Sequence, residues 1–194
     1  MKQLNASYWN NLYNSDQTGW DIGYASPSIV EYFAQLKDKQ ISILIPGAGN
    51  AWEAEYLWKE GFSQVYLLDF SEVAINKFRK RVPDFPLNQI LKEDFFLHQK
   101  QYDRIVEQTF FSSLETADRG KYSKKIHQLL KPKGKLIGLL FNHEFNFNGP
   151  PFGGSPKEYQ MLFKEYFHFK IFEKSYNSIK PRKGREHFIL FEKR

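Results

Sequence analysis

Apolar positions in this chain fall into short unbroken runs separated by longer stretches with helical spacing, an alternation that predicts a parallel sheet flanked by helices. The runs at 41–45, 64–68, 88–91, 103–107 and 135–141 read as five strands. Each is bounded by turn residues and is shorter than an ordinary helix. Between them, 51–60, 71–81 and 116–130 carry helical periodicity, and helices at 4–14 and 26–37 precede the first strand. The second of these opens on Ser26 with Pro27 in its first turn, a favoured helix start. Lys131-Pro-Lys-Gly134 stops the helix before it and predicts a turn in which glycine takes a positive φ. The last third changes character: 156–166 reads as a helix, and 169–174 and 187–192 are set to pair as antiparallel strands across Pro181-Arg-Lys-Gly184. The expected fold class is α/β: a Rossmann-like seven-stranded sheet with helices on both faces and an antiparallel C-terminal strand.

A length of 194 residues suits one domain spanning 1–194, large enough to hold a core without staples. The absence of cysteine excludes disulfides, thiolate metal sites and a catalytic thiol. No basic stretch leading into an apolar run opens the sequence and no segment reaches eighteen apolar residues, so a cytoplasmic location is expected. The net charge of +6 raises the question of a nucleic-acid partner. The clusters are scattered, however: Lys77-Phe-Arg-Lys-Arg81 and Lys121-Tyr-Ser-Lys-Lys125 fall in predicted helices as solvated faces, Lys131 to Lys135 surround a turn, and only Lys180-Pro-Arg-Lys-Gly-Arg185 is compact. An RNA-binding or RNA-modifying module therefore stands as an alternative. The five histidines show no zinc-site spacing, and neither a hydrolase elbow nor a P-loop lysine is present.

The chemistry concentrates at the ends of the predicted strands. Ile45-Pro-Gly47-Ala-Gly49 takes an apolar strand into a tight turn before a helix, and the next strand ends in Asp69-Phe70, whose carboxylate is placed to accept two ribose hydroxyls. After the third strand, Asp94 can accept the adenine amino hydrogens while Phe95 covers the ring; the plainer reading of Asp94 is a cap or an exposed turn. Together these describe an adenosine-nucleotide pocket. A dinucleotide fingerprint wants a third glycine where Trp52 and its neighbours stand, which counts against an NAD-dependent oxidoreductase, the other alternative.

These motifs, with Tyr8-Trp9, Thr18-Gly-Trp20-Asp-Ile-Gly-Tyr-Ala-Ser-Pro27, Glu107-Gln-Thr-Phe-Phe111 and Gly149-Pro-Pro-Phe-Gly-Gly154, give the chain a resemblance to the S-adenosylmethionine-dependent methyltransferases of the thiopurine methyltransferase family. Within it, the pattern is most similar to the plant halide and thiol methyltransferases. The resemblance implies a class I methyltransferase domain, with residues 1–25 forming a lid in which Trp9, Tyr13 and Trp20 close over the cofactor. It places Gly47 against the methionine part, Asp69 against the ribose, Asp94 with Phe95 against the adenine and Gln108 beside the cofactor, with Gly49 and Phe70 also among the cofactor-binding residues. Tyr13 replaces a tryptophan of the plant enzymes, Gln108 a tyrosine and Ser112 a cysteine. The position where an acid usually meets the cofactor ammonium is Ile45, which leaves backbone carbonyls or Glu107 for that task.

What the resemblance implies is transfer of a methyl group from S-adenosylmethionine to a small-molecule acceptor, a thiol or other sulfur nucleophile ahead of a halide, by a monomeric enzyme without a metal. Glu107, Phe111, Ser112 and Phe152 are the candidates for the acceptor cage. Phe110, Phe141, Phe145 and Phe147 also cluster near the fourth- and fifth-strand ends, although core packing competes with a cage role for each phenylalanine.

Overall fold

The computed structural model describes residues 4–194. Of the expected lid segment 1–25, residues 1–3 lie outside the described residues. The elements run α1 (Ala6–Asn14), α2 (Pro27–Ala34), β1 (Ile43–Pro46), α3 (Trp52–Lys59), β2 (Val65–Asp69), α4 (Glu72–Arg81), β3 (Ile90–Lys92), β4 (Tyr102–Gln108), α5 (Arg119–Leu129), β5 (Leu130–Phe141), α6 (Pro156–Phe163), β6 (Phe167–Lys174) and β7 (Glu186–Lys193). The strands form one sheet in the order β3-β2-β1-β4-β5-β7-β6. β1 to β5 pair in parallel, and β7 is antiparallel to both β5 and β6, so β7 alone runs against the rest.

Strand side chains alternate between two cores, as a pleated sheet requires. Ile43, Ile45, Leu67 and Val106 face one core, shared with Ile29 and Phe33 of α2, Leu57 of α3 and Phe78 of α4. Leu44, Leu68, Ile105 and Leu136 face the other, shared with Tyr122 and Ile126 of α5 and Phe163 of α6. Helices thus cover both faces, and both faces of the central strands are apolar. The strand order reverses between β1 and β4, and the crevice beyond their carboxyl ends is where such sheets hold ligands.

Two local expectations need correction. After α5 the positive φ falls on Lys133 (61°), not on Gly134. Gly134 serves close approach instead: a Cβ there would stand 2.8 Å from the Lys131 carbonyl and 3.1 Å from Leu130 Cβ. The compact basic segment is also less cationic outwardly than its sequence suggests. Arg182 turns inward, buried, and donates to the Trp20 carbonyl at 2.6 Å.

Candidate active site

The reversal point opens into a cavity lined by residues of the N-terminal segment, the turn after β1, the end of β2 and the loop after β4. Its floor is the turn after β1. Gly47 and Gly49 adopt φ values of +56° and +55°, which glycine tolerates without strain. Space demands glycine as well. A Cβ on Gly47 would lie 2.1 Å from the Phe110 ring, and one on Gly49 would lie 2.5 Å from the Tyr13 hydroxyl. The turn is therefore packed directly under Phe110 and Tyr13, both of which line the cavity.

Asp69 ends β2 at the cavity wall, almost wholly buried. One oxygen accepts the Gly49 N–H at 2.8 Å and the other the Ser71 N–H at 2.7 Å. Burial pushes its carboxyl above the usual aspartate range, and these amides pull the other way. Each oxygen keeps a further lone pair for a hydroxyl.

The N-terminal segment supplies the opposite wall. Trp9 and Trp20 meet edge-on at 5.3 Å and Tyr13 and Trp20 at 5.6 Å. All three line the cavity. Burial, with the Asp69 charge nearby, raises the Tyr13 phenol well above its ordinary value, so it stays protonated. Phe70, Gln108 and Ser112 also line the cavity, as does Phe110. Gln108 Oε1 is buried without a hydrogen-bond partner, an acceptor available to a ligand.

The remaining expected site residues stand elsewhere. Glu107 is fully buried behind the turn that follows β4, its carboxylate engaged by the Phe111 N–H at 2.8 Å and the Tyr122 hydroxyl at 2.5 Å. Wholly buried and not among the residues that line the cavity, Glu107 is not placed to meet a cofactor ammonium. Phe111 packs into the core edge-on to Tyr122 and Tyr159. Phe95 is likewise core, edge-on to Phe110 at 5.2 Å, so it backs the wall rather than forming it. Asp94 is exposed and accepts the Phe96 N–H at 2.7 Å, the plain turn role. Phe152 binds through its backbone, its N–H donating to the Ser112 carbonyl at 2.6 Å. Phe141, Phe145 and Phe147 form an aromatic group of their own, and from this loop Pro150 and Pro151 reach the cavity.

Sequence reasoning passed over Asp21 and Glu53. Asp21 Oδ1 accepts the Trp52 indole N–H at 2.7 Å and the Gly23 N–H at 2.9 Å, and its other oxygen takes the Asn50 amide. Glu53, in the first turn of α3, is buried and accepts the Ser26 N–H at 3.0 Å. Burial raises its carboxyl, opposed by that amide. The available signal was an acid in the first helical turn after a glycine loop, where the helix N-terminus favours a negative charge. With Asp69, the cavity wall carries three carboxylates and, among the described residues, no Lys, Arg or His. In a protein of net charge +6, this anionic lining suits a cationic ligand.

The profile of the thiopurine S-methyltransferase family matches residues 4–193. The chain belongs to this family. As a thiopurine S-methyltransferase family member it is a methyltransferase, and its relatives match over most of their length. It is 28% identical over 192 residues to "Probable thiol methyltransferase 2" of Arabidopsis thaliana, covering 96% of this chain and 84% of that protein. It is 22% identical to the thiopurine S-methyltransferase of Vibrio atlanticus, covering 84% and 82%. The fold matches that of the Burkholderia thailandensis 1,6-didemethyltoxoflavin-N1-methyltransferase, solved with S-adenosylhomocysteine, at a TM-score of 0.78 and 16% identity, covering 98% of this chain and 87% of that one. The expected sheet, with its antiparallel C-terminal strand, is the methyltransferase architecture. Among the described residues no helix is long and apolar enough to cross a membrane, and no group of side chains could hold a metal ion.

Proposed function

We propose that the protein binds S-adenosylmethionine in this cavity and methylates a small sulfur nucleophile, a thiol ahead of a halide, acting as one domain and a monomer in the cytoplasm. The observation that carries the cofactor reading is the anionic wall. S-adenosylmethionine brings a sulfonium and an ammonium, whereas the pyrophosphate of NAD would face a lining that carries three carboxylates and no cationic side chain. The thiol preference draws on the names of the relatives, which include thiol, thiocyanate and thiopurine methyltransferases.

In this reading Asp69 takes the ribose hydroxyls, the Gly47–Gly49 turn lies along the methionine part, and Gln108 Oε1 meets a donor of the cofactor. Asp94 and Phe95 lie toward the adenine end, Asp94 with one oxygen accepting the Phe96 N–H and Phe95 backing the cavity wall. Trp9 and Trp20 present π faces that favour a cation. S-adenosylmethionine supplies a methyl on a sulfonium: the acceptor sulfur's lone pair forms the new S–C bond while the electrons of the old one return to the departing sulfur. The residues hold the two reactants in line and exclude water, and alignment is most of what such a displacement requires. With no histidine or lysine in the wall, the reactive acceptor enters as its anion or loses its proton to water.

The test is a methyl-transfer assay with thiols, hydrosulfide, thiocyanate and iodide, paired with calorimetry of S-adenosylhomocysteine against NAD. Turnover of a thiol and binding of S-adenosylhomocysteine alone are expected. Binding of NAD with indifference to S-adenosylhomocysteine would overturn the reading.

A further inference from the structure

Helix α1 carries Trp9 and Tyr13 to the cavity, yet Tyr13 is its one buried side chain. Apolar burial alone holds such a helix weakly, and polar contacts decide where it sits. They converge on α4. Asn10 Oδ1 accepts the Ser71 hydroxyl at 2.7 Å and the Val73 N–H at 3.3 Å. Val73 lies in the first turn of α4, where backbone amides lack intrahelical acceptors, so Asn10 supplies from another helix what a cap normally supplies. At the other end of α1, Lys77 Nζ donates to the Tyr13 carbonyl at 2.7 Å and pairs with Asp16 at 3.1 Å.

Ser71 joins this contact to the site. Its hydroxyl caps α4 by accepting the Ala74 N–H at 3.2 Å, and its own N–H donates to Asp69 Oδ1. One turn thus touches both the carboxylate at the cavity wall and the neighbour of Trp9 in the lid. We infer that Asn10 is a positioning residue: its side-chain oxygen seats the aromatic lid on the same turn that orients Asp69, so that occupation of the Asp69 site and closure of Trp9 over it are coupled. This rests on the proposed assignment of Asp69 and the lid to S-adenosylmethionine.

The test compares the wild type with Asn10→Ala, Asn10→Asp and Asp69→Asn. It measures S-adenosylhomocysteine affinity by calorimetry, hydrogen exchange of the amides of residues 6–14 with and without that ligand, and the melting temperature of the ligand-free proteins. For Asn10→Ala the affinity should fall about 5- to 20-fold, the worth of one or two hydrogen bonds, with faster exchange in α1 and a melting temperature lowered by about 2–4 °C, the cost of a lost cap. The KM for S-adenosylmethionine should rise by the same factor while kcat stays within about twofold. Asn10→Asp keeps the acceptor oxygen beside the α4 N-terminus and should restore affinity. Wild-type affinity and exchange in Asn10→Ala would overturn the inference, and so would failure of Asn10→Asp to rescue. In either case, loss of binding in Asp69→Asn leaves the cofactor assignment standing. A wild type that ignores S-adenosylhomocysteine would defeat the assignment itself, and the coupling with it.

Discussion

Glu107 is a fully buried carboxylate, and replacing it with glutamine isolates what its charge costs. Burial raises its pKa from the ordinary 4.5 to about 7, although the Tyr122 hydroxyl and the Phe111 amide pull it down. Between these two pH values the native state holds a proton that the unfolded chain has released. Stability therefore falls as pH rises through this window and is level above it. At 1.36 kcal/mol per unit, the loss amounts to about 3 kcal/mol. In Glu107→Gln the amide oxygen can still accept from Phe111 and the NH₂ can donate to Tyr122, whose own proton then lacks a partner at a cost of about 1–2 kcal/mol. That cost does not vary with pH, because the Tyr122 phenol titrates far above the window. Urea unfolding of both proteins from pH 4 to 8 should show the variant gaining about 3 kcal/mol on the wild type between pH 4.5 and 7.5. Buried carboxyls that both proteins share, such as Asp69 and Glu53, cancel in this difference. Parallel stability curves would mean that Glu107 is ionised throughout or reached by water, and the reasoning would fail.

Other substitutions probe the frame and the two ends of the cavity. Gly138→Ala should destabilise by about 3 kcal/mol in chemical denaturation, because its Cβ would stand 2.0 Å from the Glu107 carbonyl in the neighbouring central strand. Asp69→Asn should weaken S-adenosylhomocysteine about 10- to 100-fold by calorimetry, since an NH₂ would face an amide N–H now accepted by the carboxylate. Arg119, buried, donates to the Phe152 and Gly153 carbonyls at 3.1 and 2.7 Å and pairs with Glu158 at 2.7 Å, tying down the loop that brings Pro150 and Pro151 to the cavity. Arg119→Lys cannot span those partners, and steady-state kinetics should show the acceptor KM up about tenfold with cofactor affinity unchanged.

The strand pattern was legible because burial on both sheet faces leaves continuous apolar runs, and the Gly47–Gly49 turn because a close backbone approach with positive φ leaves glycine as its signature. The position of Asp69 at the cavity wall was legible as well, because it ends the strand that follows the glycine turn. That Trp9, Tyr13 and Trp20 line the cavity follows the resemblance and is not marked by any spacing.

What pattern alone could not settle was which side chains turn toward the cavity and which toward the core. Phe95, Phe110 and Phe111 are the same residue type within a short span of one another in space, yet only Phe110 lines the cavity. Glu107 reads as a site acid until Tyr122, fifteen residues away, is seen to engage it. Asp21 and Glu53 become a shared anionic wall only when a loop and a helix start are folded against each other. Residue order along the chain determined the layers and the cradle, because local backbone geometry and apolar periodicity are written in neighbouring positions. The charge of the cavity and the seating of α1 against α4 were decided by tertiary structure, because hydrogen bonds between distant residues consume some polar groups and leave others for a ligand.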